Sequence, residues 1–89
     1  FEVQSAFERT IQSAQVVRRF EEKILPAAQR SLDSALANYT SGNLDFLRML
    51  DAERQLNNQR EMYYQAIAEY HRRVAELARV VGEPGVSIP

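Results

Sequence analysis

The side chains that could carry chemistry are few and poorly grouped. The one histidine, His71, stands between Tyr70 and Arg72, with Glu69 and Glu76 nearby. A zinc site needs three or four convergent ligands, and His71 has no His or Cys companion, so it reads as a solvated surface residue. Met49 and Met62 are soft enough to hold copper, but they lie thirteen residues apart and share no helical face, so they read as fillers of irregular gaps. Ser5, Ser13, Ser31, Ser34 and Ser41 have no base beside them in sequence, and there is no nucleophile elbow or phosphate-cradling glycine loop. Glu21 and Glu22 form a carboxylate pair without the dry pocket that would shift their pKa values. No catalytic residue, no metal ligand and no cofactor is expected.

Composition narrows the class further. Eleven basic against 12 acidic side chains leave a formal net charge of −1, which gives no pull towards nucleic acid or anionic lipid. The Arg18-Arg19 and Arg72-Arg73 pairs are flanked by Glu21, Glu22, Glu69 and Glu76, the pattern of ion pairs on a helix surface. The absence of cysteine excludes disulfides, thiolate metal sites and cysteine nucleophiles. No apolar run approaches the length of a membrane span. The chain opens at Phe1 already in helical pattern, which reads as a segment of a longer protein.

With 45% hydrophobic residues, three Gly and three Pro, the 89 residues read as an ordered helical chain. Apolar positions at steps of three or four run through Val3, Phe7, Ile11, Ala14, Val17, Phe20, Ile24, Ala28, Leu32, Ala35 and Tyr39, the stripe of an amphipathic helix over about 3–39. Pro26 falls inside it, so the helix either kinks and continues or ends near Leu25 and restarts. Because the stripe keeps its phase from Ile24 to Leu32, a kink at Pro26 is favoured.

A turn over 40–43 follows. Gly42 suits the left-handed residue that ends a helix, Asn43 can cap the next one, and Asp45 brings negative charge to its first turn. The second helix, about 44–81, carries Met49, Ala52, Leu56, Gln59, Tyr63, Ile67, Tyr70, Val74, Leu77 and Val81, spaced like a heptad seam. Tyr63, Tyr64 and Tyr70 form an aromatic cluster within it and read as packing residues with wet hydroxyls. Gly82 and Pro84 signal a stop, leaving 83–89 as an extended or disordered tail.

So short a turn folds the helices back on each other. The expected fold is all-α, a long antiparallel two-helix coiled-coil hairpin over 1–82 whose facing residue numbers sum to about 84. Phe20 then meets Tyr63 or Tyr64, Leu32 meets Ala52, and Phe7 meets Leu77. Val16, Leu25, Leu36, Phe46, Leu50 and Val80 fall off this seam, so self-association or cover by other parts of a parent chain is expected.

The stretch Tyr39-Thr40-Ser41-Gly42-Asn43-Leu44-Asp45-Phe46-Leu47-Arg48-Met49-Leu50-Asp51-Ala52 resembles the hairpin turn of TolC-like outer-membrane efflux proteins. Ile24-Leu25-Pro26-Ala27-Ala28, Leu32 and Ala35 upstream, and Arg54, Leu56, Arg60, Tyr63, Tyr70 and Leu77 downstream, extend the likeness over about 20–82. The resemblance implies the periplasmic part of a bacterial outer-membrane protein, homotrimeric in its intact form. Its tunnel tip would meet a periplasmic adaptor protein and, through it, an inner-membrane transporter. It further implies a gating and partner-binding tip built from Tyr39, Ser41, Gly42, Asn43, Leu44, Asp45, Arg48 and Asp51, with Asp51 in a ring of charge near the constriction. Leu44 stands where some members carry an arginine that partners the tip tyrosine, and Arg48 where some carry a second aspartate. The mouth is therefore expected to be held by packing of Leu44 and Tyr39 more than by charge. A structural coiled-coil module that self-associates into a bundle is the alternative.

Overall fold

The computed structural model describes residues 2–40 and 46–82, all of them helical except the turn residue Gly82. Helix α1 spans Glu2–Arg19, a π-helical turn follows at Phe20–Ile24, α2 spans Leu25–Thr40 and α3 spans Phe46–Val81. The fold is all-α, and the described residues contain no strand. The chain divides into two compact units. One joins residues up to Arg18 with those from Tyr64 onward, and the other is Arg19–Tyr63.

In the first unit α1 runs antiparallel to the C-terminal part of α3. Val3, Ala6 and Val80 are buried there. The Thr10 hydroxyl donates to the Ala6 carbonyl at 2.8 Å and also reaches the Arg73 carbonyl of α3 at 3.2 Å. This seam differs from the expected stripe. Phe7, Ile11 and Val74 are 48%, 41% and 39% exposed, while small or polar residues one position earlier, Ala6, Thr10 and Arg73, face inward; Phe7 and Ile11 nonetheless line a hollow with Leu77 and Val81 of α3, the neighbourhood expected for Phe7. Val80, expected to lie off the seam, is buried at 3% exposure. The inward set of α3 here is Ala66, Tyr70, Arg73, Leu77 and Val80, an unbroken alternation of four and three residues. Spacing alone cannot separate this set from the neighbouring apolar stripe, because both alternate in the same way.

In the second unit the expected returning stripe is the one observed. Leu56 is buried, and Met49, Ala52, Gln59 and Tyr63 are half-buried beside it. Phe20 is 6% exposed and its ring lies 6.1 Å from that of Tyr63, tilted by 46°. Ala35 is also buried. At the other end of this unit the Tyr39 and Phe46 rings are 5.9 Å apart. Arg9 with Glu76, Thr10 with Arg73, Phe20 and Glu21 with Tyr63, and Tyr39 with Phe46 are cross-helix pairs whose residue numbers sum to within one of 84.

The first arm neither breaks nor restarts at Pro26. Its hydrogen-bond pattern changes just before the proline, where the Leu25 N–H donates to the Phe20 carbonyl five residues back. The backbone stays in the right-handed helical region at both ends of this turn, with φ, ψ of −62°, −40° at Arg19 and −66°, −45° at Leu25. Pro26 has no N–H to return to an upstream carbonyl, and its ring crowds the carbonyl four residues back in a regular helix. A wider turn relieves that crowding.

The same turn resolves a mismatch in spacing. Residues facing inward before it, Val3, Ala6, Thr10, Ser13, Val17 and Phe20, alternate by three and four. After Phe20 come three successive steps of four, through Ile24, Ala28 and Leu32, before alternation resumes at Ala35 and Tyr39. Such a run holds one residue more than a 3.5-residue repeat allows. A π turn absorbs one residue without leaving the helix.

Candidate functional site

Of the eight residues singled out for the tip, Ser41, Gly42, Asn43, Leu44 and Asp45 lie outside the described residues. Tyr39, Arg48 and Asp51 lie within them. Tyr39 closes the C-terminal part of α2, half-buried, with its ring against Phe46 at 54°. Phe46 is the first described residue of α3 and stays 50% exposed. The sequence reading paired Tyr39 with Leu44 and set Phe46 aside as an off-seam residue. The signal that identifies Phe46 is the residue-number sum, which pairs 39 with 45 or 46.

The last turn of α2 is finished by Thr40, whose hydroxyl lies 2.9 Å from the Leu36 carbonyl and 3.2 Å from that of Ala37. The hydroxyl thus bonds back onto the last turn of its own helix. Arg48 and Asp51, one turn apart on α3, are both exposed and line one open hollow. Its opposite wall is the small-residue face of α2, with Ala28, Ser31, Ser34 and Ala35. Asn38 and Gln55 add amide groups at its edge. Short side chains on this wall let another helix approach closely, with Arg30, Arg48 and Asp51 as the charged residues around it.

A second polar constellation lies in the other unit. The guanidinium of Arg9 on α1 pairs with Glu76 on α3. Arg73 Nε contacts Glu69 Oε2 at 2.7 Å, and its Nη1 lies 3.7 Å from Glu76 Oε2. Arg72 completes the chain of charges, donating to Glu69 Oε1 through Nε at 3.0 Å and Nη2 at 2.7 Å. Hydrogen bonding from Arg72, reinforced by the Arg73 charge, holds the Glu69 carboxyl below its ordinary pKa. Arg9 does the same for Glu76. These groups pair with one another and tie α1 to α3 within this unit.

His71 is exposed, its ring beside that of Tyr70 with centroids 5.8 Å apart and planes tilted by 55°. Among the described residues, no three His, Asp or Glu side chains converge in a way that could hold a metal ion. Met49 is half-buried on the seam, whereas Met62 is 50% exposed. Of the tyrosine cluster, Tyr63 faces Phe20 and donates its hydroxyl to Glu21 at 2.6 Å, and Tyr64 is 64% exposed. No helix of the described residues is long and apolar enough to cross a membrane. The comparisons with protein-family models, curated proteins and solved structures find no match to this chain.

Proposed function

We propose that this chain is a non-catalytic segment of a TolC-like outer-membrane efflux duct, contributing to the periplasmic helical tunnel and its adaptor-facing tip. The observation that carries this reading is the reversal of the chain between Thr40 and Phe46. It falls inside the stretch from Tyr39 to Ala52 on which the family likeness rests. Tyr39 and Phe46 pack together there, and Arg48 and Asp51 stand exposed on the wall of a hollow lined by small residues. A helical hairpin of a periplasmic adaptor is the partner such a wall suits, and a trimer is the assembly the family implies. In this reading the tunnel is a passage and not a selective pocket.

Photo-crosslinking in the intact parent protein tests this. A benzophenone side chain replacing Arg48 or Asp51 should yield an adduct with an adaptor protein in the cell envelope, and one replacing Gln15, far along α1, should not. A parent that fractionates away from the outer membrane, or tip positions that form no adduct, would defeat the proposal.

A second reading is a structural coiled-coil module that self-associates into a helical bundle. It is favoured by Phe7, Ile11 and Val74, three large apolar side chains left 39–48% exposed within one unit. Sedimentation of the isolated chain decides its self-association. A concentration-dependent mass that Phe7→Ser and Ile11→Ser abolish supports the bundle.

A further inference from the structure

The seam of the first unit has two unlike edges. Arg9 and Ile11 flank the inward Thr10 of α1 on opposite sides, since each residue of an α-helix advances by about 100° around the axis. On the Arg9 edge, the pair with Glu76 bridges α1 and α3. On the Ile11 edge a hollow of about 540 Å³ stays open, walled by Val3, Phe7 and Ile11 of α1 and by Leu77 and Val81 of α3. Phe7 and Ile11 remain 48% and 41% exposed there, which leaves apolar surface to be covered.

The last turn of α3 lies beside this hollow. Val81 lines it, and the next residue, Gly82, donates its N–H to the Ala78 carbonyl at 3.0 Å. The sequence that follows is Glu83-Pro84-Gly85-Val86-Ser87-Ile88-Pro89, outside the described residues. A proline has no N–H to offer a helix and disfavours helical backbone in the residue before it, so Glu83 and Pro84 direct the chain out of α3. Proline second and glycine third in Glu83-Pro84-Gly85-Val86 are the signature of a type II turn, which reverses the chain. Beyond the reversal, Val86 and Ile88 fall on one face of an extended segment and Ser87 on the other. The spacing matches the hollow, because two residues of extended chain cover about 6.6 Å and the turn of α3 from Val81 back to Leu77 covers about 6 Å.

We infer that the hollow is the docking site of the chain's own segment 86–88, which turns back at Pro84-Gly85 and sets Val86 beside Val81 and Ile88 beside Leu77 and Phe7. Gln4 and Glu8, the polar lining residues, supply oxygens for backbone N–H groups of the segment. The tether selects this occupant. Val86 is five residues along the chain from Val81, which keeps the segment at high effective concentration over the hollow and spares it the freedom that a separate molecule gives up on binding. A second copy, as in the bundle reading, contends for the same hollow. The efflux-duct reading rests on the other unit and is independent of this inference.

Proton NMR of the full chain tests it. The methyl groups of Val86 and Ile88 should show nuclear Overhauser contacts to the Phe7 ring and the Leu77 methyls. In a mixture of isotope-labelled and unlabelled chains, these contacts should be missing from the spectrum filtered for pairs on different molecules. Gly85→Ala penalises the left-handed residue of the turn, and Ile88→Ser removes one of the two anchors. Each should weaken the Val86 contacts several-fold, with helicity by circular dichroism unchanged because both positions lie beyond α3. An absence of contacts from Val86 and Ile88 to the hollow, contacts found only between different molecules, or contacts unaltered in G85A would each overturn the inference.

Discussion

The Tyr63 hydroxyl donates a 2.6 Å hydrogen bond to the Glu21 carboxylate, one residue from Phe20, whose ring packs against that of Tyr63. One side chain of α3 thus grips two consecutive residues of the π turn, through its ring and through its hydroxyl. Phe20→Ala removes the buried half of this grip and should cost about 3–5 kcal/mol, the usual range for deleting a buried phenylalanine. Tyr63→Phe removes the exposed hydrogen bond to Glu21 and should cost about 0.5–1.5 kcal/mol. Urea unfolding of both variants measures the two values, and a Tyr63→Phe cost equal to that of Phe20→Ala would assign the grip to the wrong half.

The inward set of the first unit makes a prediction that separates two valines. Val80→Asp places a charge at a site only 3% exposed and should destabilise far beyond the ~0.5 kcal/mol of an ordinary surface change. Val74→Asp, at 39% exposure, should be tolerated. Melting temperatures decide between this seam and the one through Val74. In the second unit Leu56→Ala should cost about 2–5 kcal/mol by the cavity it leaves.

Stability should also depend on pH. Glu69 and Glu76 have carboxyl pKa values below the ordinary 4.5, through hydrogen bonds from Arg72 and Arg9. A carboxylate whose pKa is depressed by folding stabilises the native state fully above the unfolded value, and that contribution is lost as pH falls through the lower folded value. Denaturation midpoints should therefore decline as pH drops below about 4.5. The decline should be shallower in Glu69→Gln and Glu76→Gln. Added salt should weaken the effect, because both side chains remain partly exposed.

At the end of α2, the contact of Tyr39 with Phe46 should protect the last helical turn. An aromatic pair contributes about 0.5–1.5 kcal/mol beyond its buried area, so Phe46→Ala should speed amide exchange at Ala37 to Thr40 up to about tenfold. Exchange over the Leu56 region should stay unchanged. An equal acceleration in both places would show that the ring contact acts on global stability and not on the end of α2.

The residues that specify pairing across the helices were legible without coordinates. Apolar steps of three and four define helices, a Gly and Asn between them define a reversal, and a reversal fixes the residue-number sum that joins Phe20 to Tyr63. The returning stripe through Met49, Leu56 and Tyr63 was equally plain, since no competing apolar stripe runs beside it in that stretch. The tip residues Tyr39, Arg48 and Asp51 could be listed from the sequence, but the pairing of Tyr39 with Phe46 needed the fold.

Only the tertiary structure decided which of two adjacent stripes on α1 faces inward. Helical spacing gives a direction relative to the helix itself and says nothing about an inserted residue further along, so Phe7 and Ile11 looked like seam residues. Within the first unit the Thr10 hydroxyl on the Arg73 carbonyl and the Arg9–Glu76 pair hold the face of α1 that turns to α3. Local spacing therefore settles that the helices exist and pair, whereas the rotation of each helix about its axis is set by contacts from the other arm, which no local pattern contains.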